Sequence, residues 1–349
     1  EFANETRTSG PYYTSFDPTW NLVDEIIPWY RNLSGSSLSE YDIDDDGFID
    51  ALYMIYSNPN ASNAVYSTKG ENVFWAYKFQ NYGALGTSDV TNPVGMMYAW
   101  SSIDFTYEGY GLGPIDAHTY IHEVGHILGL NDYYTYDSVG SDYDALGGMD
   151  MQDFNILDHN SYSKYYWGWT DPYVFDINSG GASVKLRPFE SSGDCIMLAN
   201  SWNGSSFDEY LLLEFYTPTG LNYQDSISGP YSWRSRGFTI PGIKLIHVDA
   251  RLANLSLTTG KFVRYTDTLA PNSYFTEIAA SNTASDNYAI GVNRYFKQVE
   301  LVEATGNPII MQGFAATNSS LFVEGSSFHP DDFQLFFINR STFNNGEVI

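Results

Sequence analysis

Two histidines and a glutamate lie close together in the segment His122-Glu123-Val124-Gly125-His126. On a helix, residues four positions apart share one face, so these two imidazoles can bind the same zinc ion. The glutamate between them then points toward a metal-bound water, from which it can accept a proton. The pattern therefore predicts a hydrolytic zinc site, with His122 and His126 as ligands and Glu123 as the catalytic base.

The residues that follow this segment offer a candidate for a third ligand. Gly129 and Asp132 complete the spacing H-E-x-x-H-x-x-G-x-x-D. Glycine readily takes the positive φ with which many helices end, so the chain can turn back toward the metal. Asp132 then offers a carboxylate oxygen, which zinc accepts at about 2.0–2.2 Å. Three protein ligands leave the fourth position open, as a catalytic zinc requires.

The sequence alone leaves other interpretations of these residues open. His122, Glu123 and His126 can be solvated polar residues of an ordinary amphipathic helix, and Asp132 can stabilise a turn, as aspartate commonly does. In another class of zinc enzyme the third ligand is a downstream glutamate on a second helix. The close spacing of Gly129 and Asp132 favours the aspartate instead.

A second cluster of acidic side chains lies in the segment 42–50, which reads DIDDDGFID. The first part of an EF-hand calcium loop has oxygen ligands at positions 1, 3, 5 and 9 and glycine at position 6, and this segment matches that spacing. Tyr53 stands at position 12, where a bidentate glutamate is expected, and a solvated turn is the alternative. The predicted calcium ligands are Asp42, Asp44, Asp46 and Asp50.

The zinc motif needs a helix, and the sequence predicts one from about residue 114 to about residue 128. Proline is tolerated at the first helical position and glycine is favoured just after the last, which suits Pro114 and Gly129. We expect an apolar stripe of this helix to face the core. The stripe consists of Ala117, Ile121, Val124 and Leu128.

Shorter elements flank this helix in the sequence. An amphipathic helix over residues 20–27 is expected to end at Pro28. Apolar runs of strand length, bounded by turn residues, predict the strands. They lie at residues 51–56, 73–79, 94–101, 183–186, 210–215, 243–248, 299–302 and 334–338.

At these motifs the chain resembles the immune inhibitor A family of secreted bacterial metallopeptidases, whose zinc signature is H-E-x-x-H-x-x-G-x-x-D. The acidic segment that runs into an apolar strand, the pair Gly168-Trp169 and the run 242–249 are further likenesses, so that the resemblance spans about residues 20–250. The resemblance implies a secreted bacterial zinc endopeptidase that acts on proteins or peptides. It also implies catalytic zinc (Zn²⁺) and structural calcium (Ca²⁺).

One stretch departs from the pattern of related zinc peptidases, which place a methionine turn beneath the metal. The family motif there is Asp-x-Met, whereas this chain reads Met149-Asp150-Met151-Gln152. Alignment on the aspartate puts Gln152 where the methionine is expected. Either Met151 packs in its place or the turn is altered. No tyrosine follows two residues after either candidate, so no tyrosine is predicted to stabilise the oxyanion.

Composition excludes several classes of function. The 349 residues contain 16 Lys and Arg against 42 Asp and Glu, a formal charge of −26 that disfavours nucleic acids and anionic membrane surfaces. No segment approaches the roughly 18 consecutive apolar residues of a membrane-spanning helix. Cys195 is the only cysteine, which excludes an internal disulfide and a thiolate metal cage. The polar N-terminal residues lack the features of a signal peptide, so we expect a mature or trimmed product.

These observations predict an α+β fold. A metzincin-like zinc peptidase catalytic half, residues 1–170, contains the zinc site and the calcium loop, and a β-rich half, residues 171–349, packs against it. Aromatic residues make up 17% of the chain and favour strands, since they fit pleated, half-buried surfaces. An alternative function is a catalytically weak or inactive, calcium-stabilised binding or adhesion module on a protease fold. The oligomeric state is not predicted.

Overall fold

The computed structural model describes residues 16–57, 75–80, 87–107, 115–136, 144–176, 180–229, 235–259, 262–283, 297–305 and 307–329. The chain divides into two compact units, Glu1–Gly129 and Leu130–Ile349, here called the N-terminal and C-terminal units. The expected halves, residues 1–170 and 171–349, follow a change in composition and stay a prediction.

The N-terminal unit combines two helices with a small sheet. Its helices are α1 (Phe16–Ser34) and α2 (His118–Ile127), and its strands are β1 (Tyr53–Tyr56), β2 (Tyr77–Gln80) and β3 (Met97–Ser102). The strand order is β1-β3-β2. Strand β3 pairs in parallel with β1 and antiparallel with β2, and α2 packs against β3. The apolar core consists of Val23, Ile27, Leu38, Ile49, Met54, Tyr98 and Trp100.

Helix α1 continues past the proline that was expected to end it. Pro28 lies inside the helix on its exposed side, whereas Val23 and Ile27 on the other side are buried. A Cβ at Gly95 would lie 2.6 Å from Val23 Cγ1 and 2.7 Å from Ile27 Cδ1, so only glycine allows this close approach. The prediction was wrong because burial of the apolar face offsets the hydrogen bond that proline removes.

The predicted strands of the N-terminal unit differ from the observed ones mainly at their ends. The run 51–56 forms β1 from residue 53, and 94–101 forms β3 from residue 97. Of the run 73–79, residues 73 and 74 lie outside the described part of the chain, and β2 begins at Tyr77. The apolar character of each run therefore predicts that a strand is present, but it does not predict the residue at which the strand begins.

The main sheet of the C-terminal unit has five strands in the order β11-β7-β6-β5-β4. Its pairs are antiparallel except for β4 and β5. The strands are β4 (Tyr173–Asp176), β5 (Cys195–Ala199), β6 (Glu209–Tyr216), β7 (Gly242–Asp249) and β11 (Val299–Val302). In β6, Tyr210 and Leu212 belong to one buried cluster and Leu211 to another. Burial on both faces explains why β6 reads as a continuous apolar run.

A second, antiparallel sheet of the C-terminal unit has the order β10-β8-β9. It contains β8 (Leu252–Ser256), β9 (Phe262–Arg264) and β10 (Tyr274–Ile278). The same unit carries the short helices α3 (Met151–Phe154), α4 (Ser161–Tyr166), α5 (Phe189–Ser192) and α6 (Asn222–Ile227). The strand predicted at 183–186 is wrong: the segment has no regular structure and is mostly exposed. The strand predicted at 334–338 lies outside the described residues.

Helices and several sheets together confirm the α+β class. None of the helices in the described ranges is both long enough and apolar enough to cross a membrane.

Candidate active site

Helix α2 buries its polar face. His118, His122 and Glu123 are each 5% exposed, whereas Val124 is 40% exposed and Leu128, just past the helix, is 43% exposed. The expected orientation, with the apolar stripe toward the core, was therefore wrong. Strand β3, against which α2 packs, ends in buried serines, so the helix faces a polar surface there. The predicted start near residue 114 was also wrong, because α2 begins at His118.

The two predicted histidine ligands face each other across one helical turn. Nε2 of His122 lies 3.0 Å from Nε2 of His126, and the rings are perpendicular, with an interplanar angle of 90°. Two nitrogens bound to one tetrahedral zinc at about 2.0–2.1 Å would stand about 3.3 Å apart. The observed separation is close to that value, so the pair can bind a single ion.

Asp132 joins this pair after the helix ends. Ligand atoms of His122, His126 and Asp132 all lie within 4.8 Å of one another. Gly129, between the histidines and the aspartate, takes φ +96°, which confirms the expected role of glycine at the end of the helix. Two imidazoles and a carboxylate form a donor set that suits zinc.

A carboxylate lies beside the first turn of α2. Oδ1 of Asp116 accepts a hydrogen bond from the backbone N–H of His118 at 2.9 Å and also contacts Nδ1 of the same histidine. Both residues are buried. Asp116 therefore orients the imidazole of His118, which lies one turn before His122 on the same helix.

Glu123 lies near Tyr53, a half-buried tyrosine of β1. The Tyr53 hydroxyl is 2.9 Å from Ser101 Oγ, and the Tyr53 ring contacts that of Tyr120, with centroids 5.8 Å apart. Burial raises the pKa of Tyr53 well above its ordinary value; the hydrogen bond with Ser101 lowers it in part, and the charge of Glu123 raises it again. The phenol therefore stays protonated and neutral at neutral pH.

The acidic segment folds as a loop around Asp42. Ligand oxygens of Asp42, Asp44 and Asp50 lie within 4.8 Å of one another, but Asp46 is not part of this group. Instead, Asp46 Oδ1 accepts the backbone N–H of Phe48 at 2.9 Å. Asp42 is buried and accepts the backbone N–H groups of residues 46 and 47 at 3.0 Å each.

Glycine is required at position 6 of this loop. Gly47 takes φ +86°, and a Cβ there would lie 2.5 Å from the backbone nitrogen of Asp89. Tyr53, at position 12, hydrogen-bonds with Ser101. The loop therefore has three carboxylates that can bind a cation. It also has internal hydrogen bonds of the kind that stabilise an ordinary turn.

Comparison with known protein families agrees with this geometry. Residues 37–149 match the model of the immune inhibitor A peptidase M6 catalytic domain, and this range contains the acidic loop together with His122, His126 and Asp132. This segment is therefore similar to the catalytic domain of the peptidase M6 family. The resemblance predicted from the motifs is confirmed. The predicted enzyme class, a metalloendopeptidase, is confirmed as well. The family implies zinc as the metal and proteins as substrates. No curated protein and no solved structure gave a match to the chain.

The stretch in which related zinc peptidases place a methionine turn lies in the C-terminal unit. Asp150 precedes α3, and its Oδ1 accepts the backbone N–H of Gln152 at 2.9 Å. Met151 and Gln152 are fully buried, and the Gln152 carbonyl accepts the backbone N–H of Tyr133 at 2.8 Å. The side chain that replaces the expected methionine is therefore packed inside the unit. Which methionine performs the packing role stays a prediction.

Sequence reasoning missed three side chains near the predicted site. Tyr136 donates a hydrogen bond to Asp132 Oδ2, Asp116 contacts His118, and Tyr53 lies near Glu123. The carboxylate before the helix could have been found as an N-terminal acidic residue. The two tyrosines have no spacing signal, because their contacts depend on how a loop and a strand are placed.

Proposed function

We propose that the chain is a secreted zinc-dependent endopeptidase in which His122, His126 and Asp132 bind the metal and Glu123 is the general base. The observation that carries the proposal is the convergence of two facing imidazoles with a carboxylate at the end of a helix whose buried face also carries a glutamate. The similarity of residues 37–149 to the M6 catalytic domain supports the same reaction class.

The chemistry divides between the ion and the chain. Bound zinc supplies a Lewis acid that lowers the pKa of a water and polarises a peptide carbonyl. Glu123 accepts the proton of the attacking water and can return it to the leaving amine. Its burial on α2 keeps the carboxylate in a fixed position and limits the access of bulk solvent. His122 and His126 hold the site together on one rigid turn of the helix.

Calcium is a second part of the proposal. Asp42, Asp44 and Asp50 are the residues we expect to bind it, because their oxygens converge and because calcium prefers oxygen ligands. Asp46 was also predicted as a ligand. Its Oδ1 accepts a hydrogen bond from the backbone N–H of Phe48, which is a structural role for this side chain. Bound calcium would stabilise the loop that leads into β1. The assignment of secretion rests on the family alone.

The proposal is tested by elemental analysis of the purified protein together with digestion of casein. We expect about one zinc per chain and casein hydrolysis that is lost on treatment with a chelator and restored by added zinc. A protein that contains one zinc yet releases no peptides from casein, under conditions where a known metallopeptidase does, would instead support the binding-module alternative. A chain that digests casein without any bound metal would contradict the zinc mechanism.

A further inference from the structure

We propose that Tyr136 is a positioning residue for the third zinc ligand: its hydroxyl donates a hydrogen bond to Oδ2 of Asp132 and thereby directs Oδ1 toward the metal. This inference rests on the proposed role of Asp132 as a ligand. Nothing in the sequence motif includes Tyr136, which lies four residues after the last residue of the signature.

A carboxylate ligand needs such a partner because it has two equivalent oxygens and a side chain that can rotate. Asp132 is 6% exposed, so solvent cannot orient its carboxylate. A neutral phenol that donates to one oxygen fixes the rotation of the carboxylate without neutralising its charge. The other oxygen then keeps its full ability to bind a cation.

The backbone around Tyr136 is anchored, so the position of its hydroxyl is defined by more than one contact. The Tyr136 N–H donates to the Thr283 carbonyl at 3.1 Å. Immediately before it, the Thr135 N–H donates to Asp144 Oδ1 at 3.0 Å. Nearer to Asp132 in the chain, the carbonyl of Tyr133 accepts a hydrogen bond from the Asn282 side chain at 3.0 Å. The segment from Asp132 to Tyr136 is therefore held at several points along its length.

The side chain of Tyr136 contributes little to packing. Its residue is 65% exposed, so removal of the hydroxyl in Tyr136→Phe deletes the contact with Asp132 and leaves the core intact. Tyr223 on α6 offers a matched control, because it is 57% exposed and lies in the same unit. Tyr223→Phe removes an exposed phenol hydroxyl without changing the Asp132 carboxylate.

The experiment measures zinc affinity of the full chain by competition with a chromophoric chelator. Tyr136→Phe should weaken zinc binding by about 10-fold to 100-fold, the usual cost of losing the hydrogen-bond partner of a metal ligand, whereas Tyr223→Phe should bind as the wild type does. The cobalt-substituted Tyr136→Phe protein should also show a changed visible absorption spectrum, which reports on ligand geometry. In an Asp132→Ala background, Tyr136→Phe should cause no further loss.

Each other outcome overturns the inference, and the outcomes identify which assignment failed. If Asp132→Ala loses zinc affinity but Tyr136→Phe binds zinc and cobalt as the wild type does, Asp132 is a ligand and Tyr136 does not position it. If Asp132→Ala keeps wild-type affinity, the proposed ligand is wrong and the inference is wrong with it. If the metal-free Tyr136→Phe protein melts well below the wild type, the tyrosine has a general structural role.

Discussion

Nε2 of His122 lies 3.0 Å from Nε2 of His126, one turn further along α2. In a neutral imidazole whose hydrogen is on Nδ1, Nε2 carries a lone pair, so a single cation between the rings can accept a lone pair from each. The pitch of the helix places the two side chains within reach of each other, and their rotamers set the separation of the nitrogens. Several measurable consequences depend on this pair and on its neighbours.

The first prediction concerns the two histidines. His122→Ala and His126→Ala should each weaken zinc binding on the order of 100-fold or more, because loss of a direct ligand costs more than loss of its hydrogen-bond partner. Zinc content and casein digestion should fall together. His329→Ala, at an exposed position, is the control. Either alanine variant retaining full zinc occupancy in the presence of a competing chelator would remove that histidine from the ligand set.

The second prediction separates the base from the ligands. Glu123→Gln keeps the size and polarity of the side chain but removes the proton acceptor, so kcat should fall about 10²-fold to 10⁴-fold. Zinc content should stay near that of the wild type, since Glu123 is not expected to bind the ion. Glu277→Gln, at an exposed site on β10, is the matched control. Wild-type turnover by the Glu123→Gln protein would end the mechanism proposed above.

The third prediction tests calcium at the acidic loop. Asp42 also accepts two backbone hydrogen bonds, so its replacement would destabilise the loop even without a cation. Asp44 is exposed and belongs to the same group of oxygens, which makes Asp44→Ala the cleaner probe. It should lower the melting temperature by several degrees in calcium buffer and by much less in chelator, because a ligand stabilises the state that binds it.

The control for this measurement is Asp267→Ala, at an exposed turn outside the loop, which should respond alike to both buffers. An equal shift of the Asp44→Ala protein in calcium and in chelator would show that the loop is an ordinary turn.

The fourth prediction concerns the pH dependence of stability. Burial raises the pKa of Asp150 to about 6, although Lys244 and hydrogen bonds from Gln152 and Asn160 act in the opposite direction. The folded state binds the carboxyl proton of Asp150 more tightly than the unfolded state does. The contribution of this group to the free energy of unfolding is therefore fully present below the pKa of the unfolded state. It is lost as pH rises through about 6.

Asp150→Asn cannot titrate, so its free energy of unfolding should lack this change. Relative to the variant, the wild type should lose at most about 1.4 kcal/mol per pH unit between about pH 4 and pH 6. Urea unfolding of the metal-free proteins measures this difference, with Asp267→Asn as an exposed control. A wild-type curve that runs parallel to that of Asp150→Asn would contradict the raised pKa.

The fifth prediction addresses Gln152, which stands where the methionine of the turn is expected. Gln152→Met restores the residue expected at this position, and we expect zinc content to be unchanged and activity to change only modestly. The Gln152 carbonyl, which accepts the Tyr133 N–H, is a backbone group and survives the substitution. Loss of zinc in the Gln152→Met protein would show that the glutamine side chain supports the site.

The sequence by itself determined the parts of the site that depend on local geometry. Residues at i and i+4 share a helical face wherever the helix lies, so His122 and His126 could be paired without a structure. Gly129 was expected to end the helix because glycine takes positive φ without a steric cost, and it does so. Asp132 could be predicted as a candidate ligand because it lies only three residues after that turn. The acidic loop likewise followed from short-range spacing.

Tertiary structure decided what those local elements face. The apolar residues of α2 predicted its buried side incorrectly, because burial depends on the neighbour, and β3 presents buried serines next to the helix. Helix α1 passes through Pro28 because its apolar face packs closely over Gly95, a contact across 60 or more residues of sequence.

The contacts of Asp132 and Glu123 were also beyond the reach of the sequence. Tyr136 meets Asp132 only because backbone hydrogen bonds to Asp144 and Thr283 hold the intervening loop in place. Tyr53 lies near Glu123 because β1 pairs with β3, the strand on which α2 packs. Such contacts join residues that are distant in the chain or connected by irregular loops, and no periodic pattern encodes them. The proposed metal-binding residues were therefore predictable from spacing, whereas the side chains that contact them depended on tertiary packing.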